Sequence, residues 1–157
     1  MAYESRAWAG LKHTPTLGSM DVSSTSTESA RITVPTGLTV ALLQAQGLTQ
    51  WLGPAEAWLP VGFSYVIGTT VATGAPVISL AQGGSAVTGA TASVPTASSG
   101  ANYLFTAFAN YTRPTFTAGN TLSLKVTTTN SATGAITPYL WYVPIAVAGV
   151  SEAVTTV

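Results

Sequence analysis

The stretch Leu122-Ser-Leu-Lys-Val-Thr127 alternates apolar and polar side chains without a break. In an extended chain successive side chains point to opposite faces, so Leu122, Leu124 and Val126 share one face while Ser123, Lys125 and Thr127 share the other. That is the pattern of a strand buried on one side. The same period recurs in Phe63, Tyr65 and Ile67, in Ile78 and Leu80, and in Leu38, Val40 and Leu42. Working outward, eight segments read as strands: 31–34, 38–46, 62–70, 76–82, 87–94, 101–111, 121–129 and 136–147. Turn-forming groups separate them, among them Pro35-Thr-Gly37, Gln82-Gly-Gly84, Ser98-Ser-Gly100 and Ala118-Gly-Asn120. No window carries a capped helix, and the best, Gly53-Pro-Ala-Glu-Ala-Trp58, is one turn at most. Short, evenly spaced strands predict an all-β fold: a jelly-roll-like antiparallel β-sandwich of about eight strands.

A chain of 157 residues is one domain's worth, with enough core to need neither disulfide nor metal. Charge is scarce: five basic and five acidic residues, balanced to zero. The 26 Thr, 24 Ala and 15 Ser therefore do most of the solvating. A neutral chain has no means of neutralising a run of phosphates, so nucleic acid is not an expected partner. The longest apolar run, Pro138 to Val150, is too short for a membrane span and contains Pro144, so no membrane is expected either. The opening Met1-Ala-Tyr-Glu-Ser-Arg-Ala-Trp8 lacks the apolar segment of a secretory signal, which reads as synthesis in the cytosol.

Residues 1–30 differ from the rest. They hold five of the ten charged residues, the single His and the aperiodic run Val22-Ser-Ser-Thr-Ser-Thr-Glu-Ser29. This composition predicts an extended N-terminal arm, disordered or ordered only on a partner, ahead of a sandwich domain at 31–157. Trp8 and Leu11 offer apolar anchors and Arg6 and Lys12 charged hydrogen-bond donors, so these four are the expected docking residues of the arm.

Chemistry is hard to place. Between Glu56 and Arg113 no residue carries a charge, which leaves most of the sandwich without acid, base or ion-pair partner. His13, Asp21 and a serine make a triad on paper only, with no nucleophile elbow and a seat in a loose arm. Glu56 and Glu152 are the carboxylates outside that arm, and nothing places them together. With one His and no Cys, no metal or cofactor site is expected, and the chain reads as a non-enzyme.

The aromatic residues are more informative. Trp51 and Trp58 flank the longest predicted loop, where they either stack on a sugar ring or plug one end of the core. Two segments are apolar on both faces: 136–147, with Ile136, Leu140 and Tyr142 opposite Tyr139, Trp141, Val143 and Ile145, and 101–111, with Tyr103, Phe105 and Tyr111 opposite Leu104 and Phe108. A two-layer sandwich covers one face of each sheet, so the second face needs a cover. A loop or the arm is one candidate. A subunit interface through Tyr139, Trp141 and Val143 is the other. Arg113 and Lys125 read as solvated strand-end charges or as guards on a sheet edge.

A cysteine-free, Thr/Ala/Gly-rich single sandwich with an N-terminal arm resembles the cement, or decoration, proteins of tailed-bacteriophage capsids. The resemblance is carried by Arg31-Ile-Thr-Val-Pro-Thr-Gly-Leu-Thr-Val40 and by Phe116-Thr-Ala-Gly-Asn-Thr-Leu-Ser-Leu-Lys-Val126, continuing through Thr133-Gly134 to Tyr139-Leu-Trp-Tyr-Val-Pro144. It implies a virion protein, commonly a homotrimer, on the outer face of the major capsid protein shell, with no catalytic residues. A carbohydrate- or receptor-binding module of a tail or head fibre, using Trp51 and Trp58, is the rival reading.

Overall fold

The structure is a computed structural model and describes residues 11–35, 56–109, 115–129 and 133–146. Among these residues there are nine strands and no helix. They are β1 (Lys12–His13), β2 (Met20–Asp21), β3 (Ile32–Thr33), β4 (Glu56–Thr69), β5 (Val77–Gln82), β6 (Ser85–Ser93), β7 (Asn102–Ala107), β8 (Thr121–Thr128) and β9 (Ala135–Ala146). The strand expected at 38–46 lies outside the described residues.

Two antiparallel sheets face each other. One runs β1-β9-β4-β7, with β2 also on β9; the other runs β3-β8-β5-β6. The pairing is nested. With β1 and β2 counted as one broken strand, first pairs with last (β9), β3 with β8, β4 with β7 and β5 with β6. The described strands thus pair as one long antiparallel hairpin rolled up, and the ladders β4·β9 and β5·β8 close the two sheets. That connectivity is the jelly roll.

The inward faces are those the period of two picks out. Phe63, Tyr65 and Ile67 of β4 meet Ile78 and Leu80 of β5, Leu122, Leu124 and Val126 of β8, and Ile136 and Leu140 of β9, all essentially without solvent contact. Among them the Tyr65 hydroxyl is buried without a well-formed hydrogen bond among the described residues. Burial pushes its phenol up to about 12, partly offset by the nearby Thr106 side chain.

The reading of 1–30 as an arm apart from the sandwich is corrected for residues 11–30. Lys12 and His13 pair with Tyr142 and Trp141, and Met20 and Asp21 with Ile136 and Ala135. Farther on, Ser26 and Ser29 donate main-chain hydrogen bonds to the Val126 and Leu124 carbonyls of β8. Leu17, Met20 and Val22 enter the core at 3%, 1% and 0% exposure. The segment needs no foreign partner to order it, because β8 and β9 supply the edge it zips onto. It escapes a periodic reading because its strands are two residues long. Pro15 and Pro138 lack main-chain N–H groups, and between them the first strand breaks into β1 and β2.

At both sheets a hydroxyl of this segment replaces a main-chain acceptor. The Leu140 amide of β9 donates to Thr14 Oγ1 at 3.1 Å, and that hydroxyl donates onward to the Pro15 carbonyl at 2.8 Å. The Leu124 amide of β8 donates to Ser29 Oγ at 3.0 Å. Thr14 and Ser29 are buried. Arg6 and Trp8 lie outside the described residues, whereas Leu11 and Lys12 stay exposed at the β1 edge.

Candidate functional site

Trp58 is not a loop residue and presents no face to a ligand. It lies in β4 at 3% exposure, stacked on Tyr142 with ring centroids 3.8 Å apart. Its main chain exchanges two hydrogen bonds of 2.8 Å with Phe116, which is also buried. These three rings close one end of the core. The ligand-loop reading of Trp58 is therefore corrected, and Trp51 lies outside the described residues.

The paper triad dissolves as well. His13 sits opposite Trp141 and Asp21 opposite Ala135, six residues apart along β9, which separates them by about 20 Å. Asp21 is occupied locally. It accepts from the Ser23 amide and hydroxyl at 2.8 and 2.6 Å, and these bonds hold its carboxyl below the usual value. Among the described residues no three His, Cys, Asp or Glu gather, and no helix is long and apolar enough to cross a membrane.

Among the described residues, charged side chains cluster on the outer face of the β3-β8-β5-β6 sheet. Arg31 Nε and Nη2 donate to the two carboxylate oxygens of Glu28 at 3.0 and 3.1 Å, and the Ser123 hydroxyl donates to the same carboxylate. Arg31 first and Ser123 second hold the Glu28 carboxyl below its ordinary value. Lys125 is not an edge guard: β8 is an interior strand, and Nζ donates to the Gly84 carbonyl at 2.8 Å. Gly84 has to be glycine. Its φ is +88°, and a Cβ there would stand 2.8 Å from the Arg31 guanidinium. The cluster is spent on itself, clasping the N-terminal segment to β8 and to the β5–β6 turn.

The outer face of the other sheet is different. Tyr139, Trp141 and Val143 are half-buried there. Part of their cover comes from residue 13: the His13 ring lies 4.8 Å from Trp141 and 6.0 Å, edge-on, from Tyr139. Across the sheet, β7 slips against β4 between Phe63 and Tyr65, so Leu104 and Phe105 together oppose Ser64. The bulge turns both outward, at 79% and 49% exposure. Between the two ridges lies a groove of about 280 Å³ with Ser64 and Val66 as its floor. Tyr139 and Trp141, backed by His13, form one wall, and Asn102 and Leu104 the other.

The groove is blunt at one end. Phe105 reaches over Gly62 to meet Trp141 edge-on, centroids 6.4 Å apart. A Cβ on Gly62 would sit 2.3 Å from the Thr106 carbonyl and 2.9 Å from the Phe105 ring, so a side chain there would push the lid away. Trp141 is fixed by a 2.9 Å hydrogen bond from its indole to Ser64 Oγ. The sequence reading names Tyr139, Trp141 and Leu104 as apolar residues in need of cover but does not bring His13, Ser64 and Asn102 to them. The signal for the floor was the pair of small outward residues, Gly62 and Ser64, in a strand of bulky ones. No family model, curated protein or solved structure matches this chain significantly, so this geometry carries the functional reading by itself.

Proposed function

We propose that the chain is a structural virion protein: a capsid cement protein that binds the outer surface of a tailed-phage shell and ties neighbouring major capsid subunits together as a homotrimer. The carrying observation is the exposed apolar pair Leu104 and Phe105 on the β7 edge, in a chain that otherwise solvates itself with small hydroxylated residues. Leu11, 53% exposed, immediately precedes β1, the strand at the opposite edge of the same sheet. Apolar groups on two opposite edges suit a head-to-tail contact, which closes into a ring when the rotation allows it. The mechanism is binding alone. A protein that binds the assembled shell and not its free subunits shifts the balance toward assembly by mass action.

The test is sedimentation of the protein with assembled shells, with light scattering of the free protein beside it. The expected results are saturable binding and a trimer, both weakened in Leu104→Asp. A monomer that stays in the supernatant sinks the proposal.

A further inference from the structure

We infer that the blunt groove on the outer face of the β1-β9-β4-β7 sheet is a binding site for one neutral sugar ring, taken at the end of a saccharide. This goes beyond the cement reading, with which it shares Leu104, and concerns the free protein, in which that residue is exposed.

Three features of the groove select that ligand. The first is charge. None of the lining residues is Lys, Arg, Asp or Glu, so a phosphate, sulfate or carboxylate would enter without a counter-charge. The second is the pairing of flat apolar rings with neutral hydrogen-bonding groups. Trp141 and Tyr139 offer aromatic surface to the C–H face of a sugar ring. The Asn102 amide, exposed and with no side-chain hydrogen bond to another described residue, offers two donors and an acceptor to its hydroxyls. His13 Nδ1 lies 2.7 Å from the Thr14 carbonyl, so a neutral ring donates there and keeps Nε2 as an acceptor. An apolar side chain would leave these polar groups unmatched. The third is size and shape. About 280 Å³ falls at the lower end of small-molecule sites, room for one ring, and the Phe105–Trp141 contact stops a chain from running through. Trp141 is also held in place beforehand by Ser64 and His13, so little side-chain entropy remains to be lost on binding.

The experiment is titration of the full chain with the methyl glycosides of glucose, galactose, mannose and N-acetylglucosamine, and with a sulfated monosaccharide, read by tryptophan emission and calorimetry. The expected result is saturable binding of at least one neutral glycoside, in preference to the sulfated sugar. Asn102→Ala, at an exposed position that leaves the fold intact, should weaken it about tenfold, the equivalent of about 1.4 kcal/mol. Trp141→Leu should abolish it. Asn102→Ala should still sediment with shells as the native protein does, which separates failure here from failure of the cement reading. The inference is overturned if no neutral glycoside binds, if the sulfated sugar binds best, or if binding survives Asn102→Ala undiminished. Self-association that Trp141→Leu abolishes and no glycoside inhibits would show a second copy in the groove, and would overturn it too.

Discussion

Replacing Thr14 by Val keeps the shape of the side chain and removes its oxygen. In the native protein that oxygen accepts from the Leu140 amide at 3.1 Å and donates to the Pro15 carbonyl at 2.8 Å, at a residue 1% exposed. The variant leaves the Leu140 N–H without an acceptor, a penalty of about 1–3 kcal/mol for a buried group. The added methyl returns about 0.8 kcal/mol by burial. Taking about 2 kcal/mol, the middle of that range, the net expectation is a loss of about 1 kcal/mol, equivalent to a thermal midpoint lower by roughly 2–4 °C in a domain of this size. Urea unfolding followed by tryptophan emission measures it, with an unchanged m-value showing that the denatured state is not what moved. Hydrogen exchange at the Leu140 amide should speed up in parallel, and Thr14→Ser should restore most of the stability. A Thr14→Val protein within about 0.3 kcal/mol of native, at equal m, would refute the view that hydroxyls complete the sheets.

Deleting residues 1–30 should prevent folding and not merely detach an arm: Leu17, Met20 and Val22 together contribute roughly 5–9 kcal/mol of burial, comparable to the stability of a whole domain. A truncated chain with native circular dichroism and a cooperative melt would contradict this. Glu28 has a lowered folded-state pKa, so its contribution is full above its ordinary value of 4.5 and disappears as pH falls through the lowered one. Glu28→Gln should therefore lower the urea midpoint at neutral pH and flatten its decline in acid; parallel pH profiles for the two proteins would disprove the clasp. Tyr65→Phe should be neutral or stabilising by up to about 1 kcal/mol, since it removes a buried hydroxyl that has no well-formed hydrogen bond among the described residues. A clear loss of stability would mean that the hydroxyl is bonded after all.

The long strands were legible because one face of each is buried, and a buried face writes a period of two into the sequence. Three features of the chain hide from that reading. Pro60 and Gly62 sit inside β4, where proline argues against an interior strand; the ladder slips between them, which shifts the inward set from Trp58 to Phe63. The slip is also why Trp58 looked like a loop residue. Residues 11–30 form pairs too short to show a period, and their order comes from strands far along the chain. The groove depends on a bulge that turns Leu104 and Phe105 to the same side, and a bulge has no signature in alternation. The doubly apolar β9 was legible as a face needing cover. That His13 supplies part of the cover was not, because the contact joins opposite ends of the chain.

Nested pairing also sets a timetable. The innermost ladder joins neighbours, Gln82 opposite Ser85 across a two-glycine turn, and can close as soon as it is made. The outermost sets Lys12 opposite Tyr142, so β1 waits through synthesis for β9. Through most of synthesis Leu17, Met20 and Val22 have no β9 to lie against, and such unpaired apolar segments are prone to stray association. The loop to be closed is nearly the whole chain, which makes this a slow folder for its size. Premature termination anywhere before β9 would release a product that can complete neither its own edge nor its core. The last dozen described residues act as a quality gate for everything translated before them.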